Sequence, residues 1–247
     1  MRNGIAESRS AGDRNRGLVR MTWLILLAVS TVACSGEGSG VVTCGMSADA
    51  ASLNAVLDSS GSCPECFFSE VSKIAPTCPD DPAVGMLGFY ASLRTDRQEE
   101  AVRFYRGVAR SPALTSEVHA DAGFTLREMG RDTAALEAYE ASLRRHADPF
   151  IRLDAAMLLK EMGKQDAAIE AFRAVMAETR QAKRDAQPGV IGVEVAHDEA
   201  AFALAEVFVE QGDVASAGEL YEGILKSSPG NERALVARRK LDGDQPQ

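Results

Sequence analysis

Residues 120–143 run ADAGFTLREMGRDTAALEAYEASL. Ala122, Phe124, Leu126 and Met129 include apolar side chains three and four apart, the mark of a helix with one buried stripe. Gly130-Arg131-Asp132 breaks the run. Glycine takes the left-handed conformation at a helix C-terminus at little cost, and Asp132 is placed to cap the helix that follows. Ala134, Leu136, Ala138, Tyr139 and Leu143 then mark a second helix. The small Ala135 lets the two helices approach, and Tyr139 fills the space toward the next hairpin.

The same trio recurs. Gly130, Ala135 and Tyr139 are matched by Gly163, Ala168 and Phe172, 33 residues on, and by Gly212, Ala217 and Tyr221, a further 49 on. A weaker copy precedes them: Gly88, Tyr90 and Leu93, a turn near Thr95-Asp96, then Ala101 and Tyr105. A fixed period of this size specifies stacked helical hairpins. The set resembles the tetratricopeptide repeat family over residues 81–229. The resemblance rests on a small residue in each first helix (Gly123, Ala156, Ala205), a bulky apolar one three later (Leu126, Leu159, Phe208), the turn glycine, the alanine, the aromatic and the closing Pro229. It departs where the family's early bulky aromatic is replaced by His119, Arg152 and Ala201. It implies an all-α, right-handed α-solenoid of about four hairpins, near 81–113, 115–149, 150–184 and 197–229. It also implies a protein-binding role with no cofactor and no catalysis. The segment 230–247 is expected to form a capping helix and tail. The extra spacing falls in about 181–195, where Gln187-Pro188-Gly189 and the β-branched Val190-Ile191-Gly192-Val193 predict a loop.

The N-terminus carries a compartment signal. Arg2, Arg9, Arg14, Arg16 and Arg20 precede an uncharged, mostly apolar run from Trp23 to Ala33, too short to span a bilayer comfortably. Residues 1–33 therefore predict a signal peptide, with Met21 an alternative start. Thr31-Val32-Ala33-Cys34 resembles the bacterial lipoprotein box, which implies lipid attachment at Cys34 and an envelope location. With Ser35 after the cysteine, the sorting rule that goes with this resemblance implies the outer membrane, facing the periplasm. Residues 34–43, rich in Gly and Ser, are expected to be a flexible tether.

Four further cysteines, Cys44, Cys63, Cys66 and Cys78, all lie ahead of the repeats, in a segment 44–80 with two helical stretches. An even count in an exported protein points to disulfides. In an antiparallel helical hairpin Cys44 and Cys78 share one end and Cys63 and Cys66 the other. A helix of ~10 residues is ~15 Å long, too far for the crossed pairings, so Cys44–Cys78 and Cys63–Cys66 are expected. Two other readings of these residues stand beside the staple. One is a thiol–disulfide oxidoreductase centred on Cys63-Pro64-Glu65-Cys66. The other is a zinc site, which the wide flanking gaps disfavour.

Before Cys34 lie five basic and two acidic residues, which leaves 22 basic against 34 acidic and a formal charge of −12. That argues against nucleic acid, whose binding needs basic patches. His119, His146 and His197 lie far apart in sequence, and no glycine-rich phosphate loop follows a strand. Repeat stacks present their first helices on a concave face. The positions expected to meet a protein or peptide partner there are Phe124 and Arg127, then Phe150, Leu153, Met157 and Lys160, then Phe202, Glu206 and Val209. No metal ligand set is read from the sequence. A self-assembling architectural role is a further alternative, and the oligomeric state is not encoded in any motif.

Overall fold

The computed structural model describes residues 42–59, 63–185 and 191–243. The residues expected to form a signal peptide, Cys34 and most of the expected tether lie outside the described residues. Eleven α-helices and no strand occur among the described residues. Two belong to the cysteine-bearing segment: α1 (Ala50–Ser59) and α2 (Pro64–Ile74). Four hairpins follow: α3 (Pro82–Arg94) with α4 (Gln98–Val108), α5 (Ser116–Glu128) with α6 (Asp132–Arg145), α7 (Pro149–Glu161) with α8 (Gln165–Asp185), and α9 (Ile191–Glu210) with α10 (Val214–Ser227). The last helix, α11 (Glu232–Gly243), packs against α10 and ends the stack.

The turn between the helices of each hairpin sits at one repeat position. Gly130, Gly163 and Gly212 have φ of 68°, 72° and 79°, and Asp96 holds the same position with φ 56°. The backbone N–H two residues beyond the last turn of helix bonds back to the chain, as in Arg131 N–H to Leu126 C=O at 2.9 Å and Lys164 N–H to Leu159 C=O at 2.9 Å. This Schellman-type closure supplies partners for the helix-terminal carbonyls. Asp132 does not cap α6; it sits inside the first turn, where its charge favours the helix dipole instead. In the last hairpin the cap is made: Asp213 accepts from the Ser216 N–H.

The recurring small and ring-bearing residues are the core. Ala101, Ala135, Ala168 and Ala217 are each 0% exposed, and Tyr105, Tyr139, Phe172 and Tyr221 are 1%, 0%, 0% and 4% exposed. Each such ring contributes ~2–3 kcal/mol by leaving water. Close approach has its own requirement: a Cβ on Gly123 would lie 2.6 Å from Tyr139 Cδ1, so the ring of α6 occupies the space a side chain there would need. His119 stands where a bulky aromatic would, fully buried, its Nδ1 paired with the Tyr105 hydroxyl at 2.8 Å.

The long spacing between the last two copies is mostly helix, not loop. α8 has 21 residues and α9 has 20, against 13 and 14 in the preceding hairpin. Residues 186–190, with Gln187-Pro188-Gly189, lie outside the described residues. The apolar Ile191-Gly192-Val193 opens α9. The extension is zipped by Ala196 and Ala200, each 0% exposed, and by Thr179, whose hydroxyl pairs with His197 Nδ1 at 2.9 Å. Alanines buried at four-residue spacing favour helix over the loop that the proline and β-branched residues suggested.

Candidate functional site: the face of the first helices

Cysteine pairing fixes one end of the stack. Cys44 is bonded to Cys78, with Cα atoms 5.9 Å apart, and Cys63 to Cys66, at 5.2 Å. Beside the first bridge, Asp81 caps α3 by accepting from Ala83 N and Val84 N, and its other oxygen accepts from Gly45 N. Asp81 thus joins the Cys44 turn to the start of the repeats. Arg94 Nη1 donates to the Leu57 carbonyl at 3.2 Å, and α1 lies along α3. A cleft of about 200 Å³ separates Ala50, Leu53 and Asn54 of α1 from Tyr90 of α3 and Glu117, Val118 and Asp121 of α5.

This arrangement closes the first hairpin. Every residue from Ala83 to Ser92 is buried, so α3 is covered all round. Tyr90 is 5% exposed and donates its hydroxyl to Asp121 Oδ2 at 3.1 Å. Burial first, and the Asp121 charge second, raise the Tyr90 pKa well above its ordinary value. Asp121 reaches solvent, yet the packed helices beside it strip enough water to raise its own pKa.

Further along, the first helices are linked by ion pairs from one hairpin to the next. Arg127 of α5 reaches Asp154 at 3.9 Å and Glu161 at 2.6 Å, both on α7. Lys160 of α7 reaches Glu206 of α9 at 2.6 Å. Arg233 of α11 returns to Glu199 at 3.0 Å and Glu206 at 3.5 Å. Arg127 and Lys160 stand at one repeat position, 33 residues apart, and their pairs link successive first helices as a ladder across the face. Arg127, Lys160 and Glu206, expected to meet a partner, are engaged with one another's hairpins.

Two expected contact residues are not on the surface at all. Leu153 is 8% exposed and packs into the core shared by the last two hairpins. Phe202 is 3% exposed, because the Arg233 guanidinium covers its ring at 4.1 Å and Tyr221 packs against it at 5.7 Å. The face does expose Phe124, Phe150 and Val209, at 41%, 42% and 41%, with Met157 half-buried between them. Phe124 is held edge-on to Tyr139 at 5.3 Å, and Phe150 lies beside Gly192 of α9. Sequence reasoning named Tyr90 and a helix ahead of the repeats, but not that this helix, α1, covers the face Tyr90 stands on. Tyr90 stands 34 residues before Phe124, so the period itself put it on this face.

Chemistry-bearing clusters are sparse. No group of His, Cys, Asp or Glu suited to a metal ion occurs among the described residues, and none of their cysteines is free. None of their helices is long and apolar enough to cross a membrane.

No protein-family model and no curated protein matches the sequence. The structure matches YrrB, described as a TPR protein with an unusual peptide-binding site. The TM-score is 0.50 and the identity 16%, covering 76% of this chain and 88% of that one. It also matches the C-terminal part of a TPR repeat-containing protein from Cytophaga hutchinsonii, at TM-score 0.48 and 11% identity, over 76% and 68% of the two chains. Pseudomonas aeruginosa PilF matches at 0.42 and 13%, over 76% and 83%. At such identities the likeness concerns fold. The described helices form a tetratricopeptide-like α-solenoid.

Proposed function

We propose that the chain is a protein-interaction scaffold, anchored in a bacterial envelope through Cys34, that holds a peptide or protein segment along the first helices of its second to fourth hairpins. The observation that carries this reading is the exposure of Phe124, Phe150 and Val209: three large apolar side chains, each more than 40% exposed, on successive first helices. Exposed apolar groups lined up on one face and bordered by charge are the signature of a binding surface. The ion pairs Arg127–Glu161 and Lys160–Glu206 link the three helices that carry these side chains, and α1 covers the first helix of the hairpin before them. The peptide-binding site named for YrrB supports the same class of partner.

The test uses the full chain and a random dodecapeptide display library. Binders are expected, and F124E and F150E should each weaken them at least tenfold while leaving the helical circular dichroism and melting temperature unchanged. Binders indifferent to both substitutions would remove the inner face from the reading. The anchor is tested separately, by whether C34S releases the protein from membranes.

A further inference from the structure

The Cys63–Cys66 bridge differs from Cys44–Cys78 in what it does for the fold. It spans a sequence separation of 3, against 34 for the other. Loop-closure entropy grows with loop length, so the short bridge constrains the unfolded chain far less. Nor does α2 depend on it. Phe67 and Val71 are 4% and 0% exposed, Arg97 pairs with Glu65 at 3.2 Å, and the Arg97 guanidinium sits over the Phe68 ring at 4.4 Å. In the long bridge Cys78 is 8% exposed, with the Thr77 hydroxyl 3.5 Å from its sulfur, while Cys44 is exposed, so what separates the two bridges is loop length and the place of Cys63 at the start of a helix.

Cys63 and Cys66 are both only half-buried, so part of each residue reaches solvent. Cys63 is the N-cap of the 11-residue α2, Pro64 opens the first turn, and Cys63 Sγ accepts the Cys66 backbone N–H at 3.2 Å. A sulfur so placed faces the positive end of the helix and a ready donor, both of which favour a thiolate over a thiol. Glu65 is the neighbouring charge that opposes this, and Arg97 pairs with it. Stabilising the reduced, ionised form makes the disulfide a better oxidant.

We infer that Cys63–Cys66 is an exchangeable disulfide that takes electrons from a dithiol in a protein or peptide partner. A partner thiolate attacks Cys63 Sγ. The Cys63–Cys66 bond breaks, and Cys66 leaves as a thiolate that takes a proton from water. The partner's second thiolate then attacks the partner sulfur of the mixed disulfide, and Cys63 leaves as the thiolate held at the start of α2. The partner loses two electrons and gains a disulfide; Cys63 and Cys66 gain the two electrons. The partner's two protons pass to solvent and Cys66. This activity is separate from binding along the first helices and does not depend on it.

The experiment equilibrates the full oxidised chain in glutathione buffers of graded composition, followed by acid quench, alkylation and mass spectrometry of each cysteine pair. Cys63–Cys66 should be half-reduced in a buffer at least 100-fold less reducing than Cys44–Cys78 requires. In the C66S chain, Cys63 should form a mixed disulfide with glutathione, and its thiol should react with iodoacetamide at pH 6 at least tenfold faster than glutathione does. The C63S/C66S chain should keep its helical signal and melting temperature. Three results would overturn the inference: the two bridges reduce together, Cys63 reacts no faster than glutathione, or the C63S/C66S chain unfolds.

Discussion

At the N-terminal end of the stack α3 is sealed on every side, whereas two hairpins further on α7 leaves Phe150 exposed and Met157 half-exposed. The helices occupy equivalent places and follow the same spacing. Tyr90 and Phe124 make the contrast sharper, since both are aromatic and both stand at one repeat position, yet one is 5% exposed and the other 41%. The period determines which face a residue joins. Whether that face is open is decided by what lies across it, here α1, held by the Cys44–Cys78 bridge and the Arg94 bond to Leu57. One end of the surface is thus fastened shut by covalent and polar links, whereas α5 and α7 leave Phe124 and Phe150 exposed.

The hardest blow to this contrast is to cut the bridge. C44S/C78S should cost about 3–4 kcal/mol in urea unfolding, from the loop it closes, and hydrogen exchange in α3 should rise toward that of α7. If α3 stays protected, packing alone seals it and the covalent link is redundant. Next is acid. Burial lowers the His119 pKa to about 4. The unfolded chain therefore binds a proton that the native state refuses between about pH 6.5 and 4, so stability is complete above this window and falls as pH drops through it. The loss should be roughly 2–3 kcal/mol, absent in H119Q, read from melting curves at pH 7 and 4.5. Because His119 pairs with Tyr105 of the first hairpin, the closed end should loosen before the open end.

Smaller changes refine the comparison. Gly123→Ala drives a methyl into the Tyr139 ring, and should destabilise the second hairpin by ~1–2 kcal/mol in urea titration, since α6 has to shift or the ring has to leave its rotamer. Asp96→Gly should stabilise by roughly 0.5 kcal/mol, because it gives the first hairpin the residue that the other three use at a positive φ. A urea midpoint that falls instead would show that the Asp96 side chain supports the closed end in a way its φ does not reveal.

Much of the architecture was legible because it is written locally. Turn glycines, buried alanines and rings at fixed intervals each describe an interaction within one hairpin or between neighbours, and periodicity exposes such interactions directly. The surface was less legible because its state depends on non-local coverage. Phe202 has the register of a contact residue, but its exposure is decided by Arg233, on the helix that follows the next one. Leu153 is likewise drawn inward by the hairpin beyond it. Lys160 and Glu206 were assigned to the right face, while their pairing, 46 residues apart, is a property of curvature and hairpin length that no single repeat contains. The long third gap misled for a different reason: its proline and β-branched residues signal a break, and the alanines on either side outweigh them.

The lengthened pair α8 and α9 has a consequence for orientation. Each runs about seven residues beyond its counterparts, ~10 Å at 1.5 Å per residue, and they do so at one place only. Identical rungs would accept a threaded ligand head-first or tail-first with little to choose between the two. A single lengthened pair breaks that degeneracy: a guest chain laid across the stack would meet different neighbours in its two polarities.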